Sequence, residues 1–297
     1  MVPAYTVYLL LAVSAFFWGA NFALAGPVLA DLPPLWAAAL RFLLGAALML
    51  ALARYQGADL AGLAKRHWRA HVILGLLGIV SFNLFFFHAM QGTSASNGAL
   101  IMATNPLLTT MLAAIVLGER LAARQLLALP VALAGVAVVI SHGNPGQLGQ
   151  LEVAKGDWLM LCADLTWASF NVATRRFMPK ENAVGNTALM MTSGALMLTA
   201  IAVGSDASFA LPGRHAGLAL AIMVVGGTVL AYLFWGMGIQ RLGAGRAALF
   251  LNLVPVFAML VSGVLGTSPS RAQMAGGAIV LAGVSLAMLP IRRRAAA

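Results

Sequence analysis

The sequence predicts an all-α polytopic membrane protein of ten transmembrane helices, built as two inverted five-helix repeats with both termini cytoplasmic. Three observations predict it. Of the 297 residues, 61% are hydrophobic and 9% charged, with a mean hydropathy of +0.92, far from the balance of a soluble domain. The chain repeats its own pattern at an offset of about 149 residues, and its lysines and arginines fall on alternate connectors.

Apolar stretches of about 20 residues bounded by charge or turn residues define the spans. They run 5–27, 34–53, 72–91, 95–117 and 124–141 in the first half, and 157–174, 186–204, 217–239, 246–265 and 272–290 in the second. They are numbered 1 to 10 below. The repeats are 1–141 and 157–297, joined by connector 142–156; only 54–71, 142–156, 175–185 and 205–216 exceed a tight turn. With the amino terminus inside, 14 of the 18 basic residues lie on cytoplasmic connectors, from Arg54, Lys65, Arg66 and Arg69 to Arg292, Arg293 and Arg294. Outside connectors carry Lys155, Arg214 and Arg271, so the positive-inside bias fixes the orientation. No cleavable signal peptide is expected, because no basic residue precedes the first apolar run. The net charge of +10 is assigned to this bias and not to nucleic acid, and the lone Cys162 excludes a disulfide framework or a cysteine-rich metal site.

The repeat is read residue by residue. Trp18 matches Trp167, Gly45-Ala46 matches Gly194-Ala195, Gln91 matches Gln240 and Pro106 matches Pro255; one deletion later, Leu117-Gly118 matches Leu265-Gly266. Five spans per copy is an odd number, so the second copy enters the bilayer upside down. Pro106 and Pro255 interrupt spans 4 and 9 and leave the carbonyls of Met102 and Leu251 without helical donors. Broken helices of this kind survive in a bilayer where they face protein or a wet cavity.

With Trp18-Gly19-Ala20-Asn21 in span 1, Asn105-Pro106 in span 4, the Leu117-Gly118-Glu119-Arg120 turn and glycine-rich spans 5 and 10, the chain resembles the drug/metabolite transporter superfamily. Its type is the one with two tandem five-helix exporter domains, similar to amino acid and metabolite exporters, including aromatic amino acid exporters. Thr267 departs from the pattern, standing where a glutamate is common. The resemblance implies a central cavity between spans 1, 3, 4, 6, 8 and 9, with spans 5 and 10 peripheral.

Candidate binding residues are Trp18, Asn21, Asn83, Phe87, His88, Met102, Asn105, Trp167, Asn171, Tyr232, Trp235 and Asn252. Tryptophans this far from a loop exceed what an interfacial belt needs and suit an apolar wall. The amides suit a zwitterion, although helix-to-helix bonding explains them equally well. Asp164 and His88 are the candidate proton carriers; Asp164 is either a functional intramembrane acid or a hydrated residue near the outer end of its helix. If Asn83 and Phe87 face the cavity, His88 points partly aside. Arg41, the one cation inside a span, either meets an acid or substrate carboxylate or snorkels to the outer interface, and snorkelling is the preferred reading. Small residues Ala128, Ala132, Gly135, Gly276 and Gly283 suit close packing within the chain over dimerisation.

The resemblance and the residues imply a secondary transporter of the cell inner membrane that exports amino acids or related small metabolites by alternating access. Gly243 and Gly245 join the broken helices as flexing points. Organic cations, drugs and nucleobase-type metabolites are the alternative cargoes, and a channel is the alternative mode. An enzyme is not expected, since one acid and one histidine do not make a protease site. No cofactor or metal is expected; the partners are a small amino-acid-like substrate and lipid, with a monomer preferred over a homodimer.

Overall fold

The computed structural model describes residues 4–118, 154–242 and 249–288, and positions 127, 130, 131, 134, 135, 137–139, 141, 143 and 144 between the first two blocks. The regular elements of the described residues are all helices, without a strand. Among the described residues six helices are long and apolar enough to cross a membrane: Tyr5–Asp31, Pro34–Tyr55, Leu60–Ala89, Ala95–Leu117, Ala183–Val203 and Arg214–Gly238. They carry spans 1, 2, 3, 4, 7 and 8. Helix Lys155–Phe177 carries span 6, Leu253–Val264 most of span 9 and Arg271–Met288 span 10. Span 5 is helical at its described positions up to Val139, and Ser141 is in a turn. Arg120, Arg124, Ala128, Ala132, Gly243, Gly245, Arg246 and Arg292 to Arg294, and most of 142–156, lie outside the described residues, so the expectations placed on them are not addressed.

Local chemistry sets the helix ends. Asp59, Ser94 and Asn182 accept backbone N–H groups of Gly62, Asn97 and Gly185 at 2.9, 3.1 and 2.9 Å. Ser270 and Gln273 form a capping box at the start of span 10, with bonds of 2.8 and 3.2 Å. Gly118 and Gly266 close spans 4 and 9 at φ +69° and +92°, a conformation glycine adopts without strain. The Asp59 cap corrects one expectation. Part of the stretch read as connector 54–71 is helical: Leu60–Gly75 is helix with a kink at His67 (φ −126°, ψ 20°), so His71 lies within a helix.

Helices 3 and 8 contain widened π-turns, Leu76–Ser81 and Met223–Leu230, at equivalent places in the two halves. In both, the backbone bonds to the fifth preceding residue: Phe82 N–H reaches the Leu77 carbonyl and Ala231 N–H the Gly226 carbonyl. Gly78 and Gly227 are also equivalent, and each takes a side chain from the facing helix, the Phe170 ring and the Asn21 amide. Span 4 breaks at Ala103-Thr104, between Ala95–Met102 and Asn105–Leu117, while span 9 enters through a tight turn, Leu249–Asn252.

Contacts sort the connectors to two ends. At one end Asp31 accepts Gly213 N–H at 2.8 Å, Trp36 Nε1 donates to the Ala207 carbonyl at 2.7 Å and Thr93 donates to Asp157. Gln273 Nε2 meets Ser94 Oγ and Asn97 Oδ1 there, at 3.0 and 2.7 Å. At the other end His67 Nε2 lies 2.6 Å from Glu181 Oε1 and His71 Nε2 lies 2.8 Å from Asn186 Oδ1. The helix carrying Trp167 therefore starts at the end where the helix carrying Trp18 finishes. Span 2 packs on span 7, span 1 on spans 8 and 9, and span 6 on spans 3 and 4. Gly135 of span 5 and Gly276 of span 10 meet within one chain: a methyl group on either would lie 2.7 Å from the other's carbonyl oxygen. Large apolar side chains such as Ile115, Val203 and Val264 are exposed on the outside, as a lipid-facing surface requires.

Candidate functional site

Between these contacts lies a cavity lined by residues of spans 1, 2, 3, 4, 6, 8 and 9. Span 1 supplies Trp18, Asn21 and Phe22, at i, i+3 and i+4 of one helical face. Span 3 supplies Phe82, Asn83 and Phe86 just beyond its π-turn, and span 2 supplies Arg41 and Phe42. Met102 and Asn105 reach in from the break of span 4, Leu251 and Val254 from the entry of span 9, and Trp167 and Tyr232 complete the wall.

Rings dominate its chemistry. Trp18, Trp167 and Tyr232 meet edge to face with centroids 5.8 to 6.0 Å apart, each from a different helix. Phe82 extends the box at 5.0 Å from Trp167. The rings are oriented by polar anchors: Trp18 Nε1 donates to the Gly227 carbonyl at 3.1 Å. Arg41 Nε donates to Thr228 Oγ1 at 2.9 Å and its Nη2 to the same Gly227 carbonyl at 3.3 Å. The π-turn of span 8 thus presents one carbonyl to two donors. Two amide oxygens of the wall, Asn21 Oδ1 and Asn83 Oδ1, are buried with no donor; the Asn83 Nδ2 group is committed to the Ile79 carbonyl at 2.8 Å.

Asp164 lies behind the wall. It is fully buried, and its carboxylate accepts Thr104 Oγ1 and Asn105 Nδ2, both at 2.7 Å. The Asn105 oxygen in turn accepts Asn171 Nδ2 at 3.1 Å and Thr109 Oγ1 at 3.0 Å. Span 6 is thereby bonded to the break of span 4, where Pro106 offers no N–H.

The structure brings together Trp18, Asn21, Asn83, Met102, Asn105, Trp167 and Tyr232, and leaves the other candidates apart. Trp235 packs behind Trp18 at 5.0 Å, Phe87 is wholly buried against Phe86, and Asn171 is tied into the Asp164 network. Asn252 is beside the span 9 entry with an unpaired oxygen. His88 is exposed, with Nδ1 2.7 Å from the Leu84 carbonyl, because five residues from Asn83 turn it out of the cavity face. Two other expectations are corrected. Arg41 does not snorkel: it is 4% exposed, held inward by Thr228 and Gly227. Asp164 is not a hydrated residue near a helix end but a bonded one nine residues into its helix. Phe22, Phe42, Phe82 and Val254 were not singled out from sequence, where they are indistinguishable from lipid-facing apolar residues; for Phe22 the spacing from Trp18 was the available signal.

Comparison with known proteins agrees with this architecture. A crystal structure 22% identical in sequence superposes with a TM-score of 0.67 over 96% of this chain and 97% of that one, showing a shared fold. An uncharacterized transporter of Bacillus subtilis, YyaM, is 34% identical over 288 residues, 96% of this chain and 94% of that protein. The aromatic amino acid exporter YddG of Ancylobacter novellus is 25% identical over 287 residues, 96% and 98% of the two chains. A probable amino-acid metabolite efflux pump of Escherichia coli is 27% identical over 293 residues, 94% and 93%. The EamA-like transporter family model matches twice, at residues 5–141 and 154–289, and the chain belongs to that family.

Proposed function

We propose that the protein is a secondary transporter that exports amino acids, aromatic or of broad range, or related small metabolites, by alternating access across the cell inner membrane. In this reading ten spans form two inverted five-helix repeats, 1–141 and 157–297, joined by 142–156, with both termini cytoplasmic. The observation that carries it is the ring-lined cavity placed where the interrupted spans 4 and 9 of the two halves meet. Low-identity amino acid exporters among its relatives support the substrate class. Trp18, Trp167, Tyr232 and Phe82 would hold the apolar side chain, and Asn21 and Asn83, whose amide oxygens have no donor, the polar end; Asn105 is taken up by Asp164, Asn171 and Thr109. Asp164, bonded to the span 4 break, is the proposed proton carrier; His88, exposed and outside the cavity, is not retained. The basic end of the bundle, with Arg54, Lys65, Arg66, Arg69, Arg175 and Arg176, faces the cytoplasm in this reading.

Counterflow in proteoliposomes tests it. Labelled phenylalanine uptake accelerated by unlabelled phenylalanine on the far side is the expected carrier behaviour. Flux indifferent to substrate on the far side would refute a carrier, and the absence of flux for every amino acid would refute the substrate class.

A further inference from the structure

Among the described residues Arg41 is a buried cation without a counter-ion. Among the described residues no carboxylate approaches its guanidinium within 4.0 Å, and the buried acid Asp164 is committed to Thr104 and Asn105. Of five guanidinium N–H groups, two are engaged, by Thr228 Oγ1 and the Gly227 carbonyl, and Arg41 lines the cavity. A lone charge in a low-dielectric interior is costly, and an arginine fork matches a carboxylate in two parallel hydrogen bonds. The fully buried polar atoms of the described wall without a partner, Asn21 Oδ1 and Asn83 Oδ1, are neutral acceptors. They accept N–H groups but do not offset a net positive ligand beside Arg41.

From this geometry we infer that Arg41 is the substrate's carboxylate anchor, so that the cavity takes apolar or aromatic monocarboxylates, zwitterionic amino acids among them, and rejects the corresponding amides and amines. The inference rests on the reading of this cavity as the transport site. It adds a charge requirement that the ring box alone does not impose, and it excludes organic cations as cargo.

The test uses the full-length protein in nanodiscs and labelled 3-phenylpropionate as the probe, with L-phenylalanine, L-phenylalaninamide and phenethylamine as competitors. Phenylpropionate binds and phenylalanine displaces it, while the amide and the amine are weaker by at least about tenfold, the scale of one charged hydrogen bond. Arg41→Gln loses binding by a similar factor and Arg41→Lys by less, since it keeps the charge and loses the fork. Displacement by the amide or amine as strong as by the acid overturns the inference, as does folded wild-type protein that fails to bind phenylpropionate. Should Arg41→Gln not fold, the competitor series on unmodified protein decides alone. Phenylpropionate binding without amino acid exchange would leave the anchor in place and sink the export reading; exchange with equal competition by amides would do the reverse.

Discussion

Replacing Gly227 by alanine perturbs the cavity from behind, where spans 1 and 8 approach closely. A methyl group there would lie 2.3 Å from Asn21 Oδ1 and 2.5 Å from Nδ2. Real side-chain contacts at that position begin at 3.0–3.4 Å, so the amide must retreat by about 0.7–1.1 Å. Overpacking of this kind costs about 1–3 kcal/mol, and the lower part applies because the obstacle is the end of a side chain and not backbone. The larger effect is on transport. Displacements of about 1 Å in a binding constellation cost up to about a hundredfold in catalysis, and a loss of about tenfold in exchange rate is the expectation here. The assay is phenylalanine exchange in proteoliposomes, normalised to folded protein, with thermal unfolding in detergent alongside. Gly236→Ala on the same helix is the control: nothing lies within 4 Å of its added methyl, and alanine is favoured there by about 0.5–1 kcal/mol. Should Gly227→Ala match Gly236→Ala in both measurements, the close approach of Asn21 to the π-turn is refuted.

Trp167→Ala removes ring contacts with Trp18, Phe82, Phe170 and Tyr232, at about 0.5–1.5 kcal/mol each, so both melting temperature and exchange fall, whereas Trp167→Phe retains the fold. An unchanged melting temperature for the alanine variant would contradict the packing described. Pro106 occupies the first turn of Asn105–Leu117, where proline costs little. Pro106→Ala is therefore expected to change stability by under about 1 kcal/mol while slowing exchange, as a donor becomes available to the Met102 carbonyl; unaltered exchange kinetics would remove the break from the transport cycle. Hydrogen bonding to His67, followed by the charge of Arg66, holds the Glu181 carboxyl below its ordinary value of 4.5. A lowered pKa in the folded state stabilises above the unfolded value and is lost as pH falls through the folded one. Glu181→Gln should accordingly lower the melting temperature at pH 7, and the difference from wild type should shrink below about pH 4, followed by calorimetry; a difference constant with pH would exclude the charge as its source.

The spans with long apolar runs were legible in the sequence, and the 149-residue spacing of tryptophans, glycines and prolines marked equivalent positions along it. Trp18 and Trp167 were legible as a pair for the same reason; that Tyr232 meets them was not. The π-turns were not: they need a shift of the backbone bond to the fifth residue, which hydropathy does not register, although Gly78 and Gly227 at equivalent positions marked the places. Arg41 was misread because span position alone cannot say which way a long side chain bends, and the partners that hold it, Thr228 and Gly227, are almost 190 residues away. His88 was misread for the opposite reason, since its chemistry suggested a role that its turn of the helix denies.

The exchange of helices between the halves has a consequence for biosynthesis. Spans 1 and 2 find their main neighbours among spans 7, 8 and 9, and span 6 finds its own in spans 3 and 4. When the ribosome has delivered only the first 141 residues, the glycine notches at Gly45 and Gly78 still lack Thr228 and Phe170 to fill them. The closing of the core is deferred until the later spans arrive.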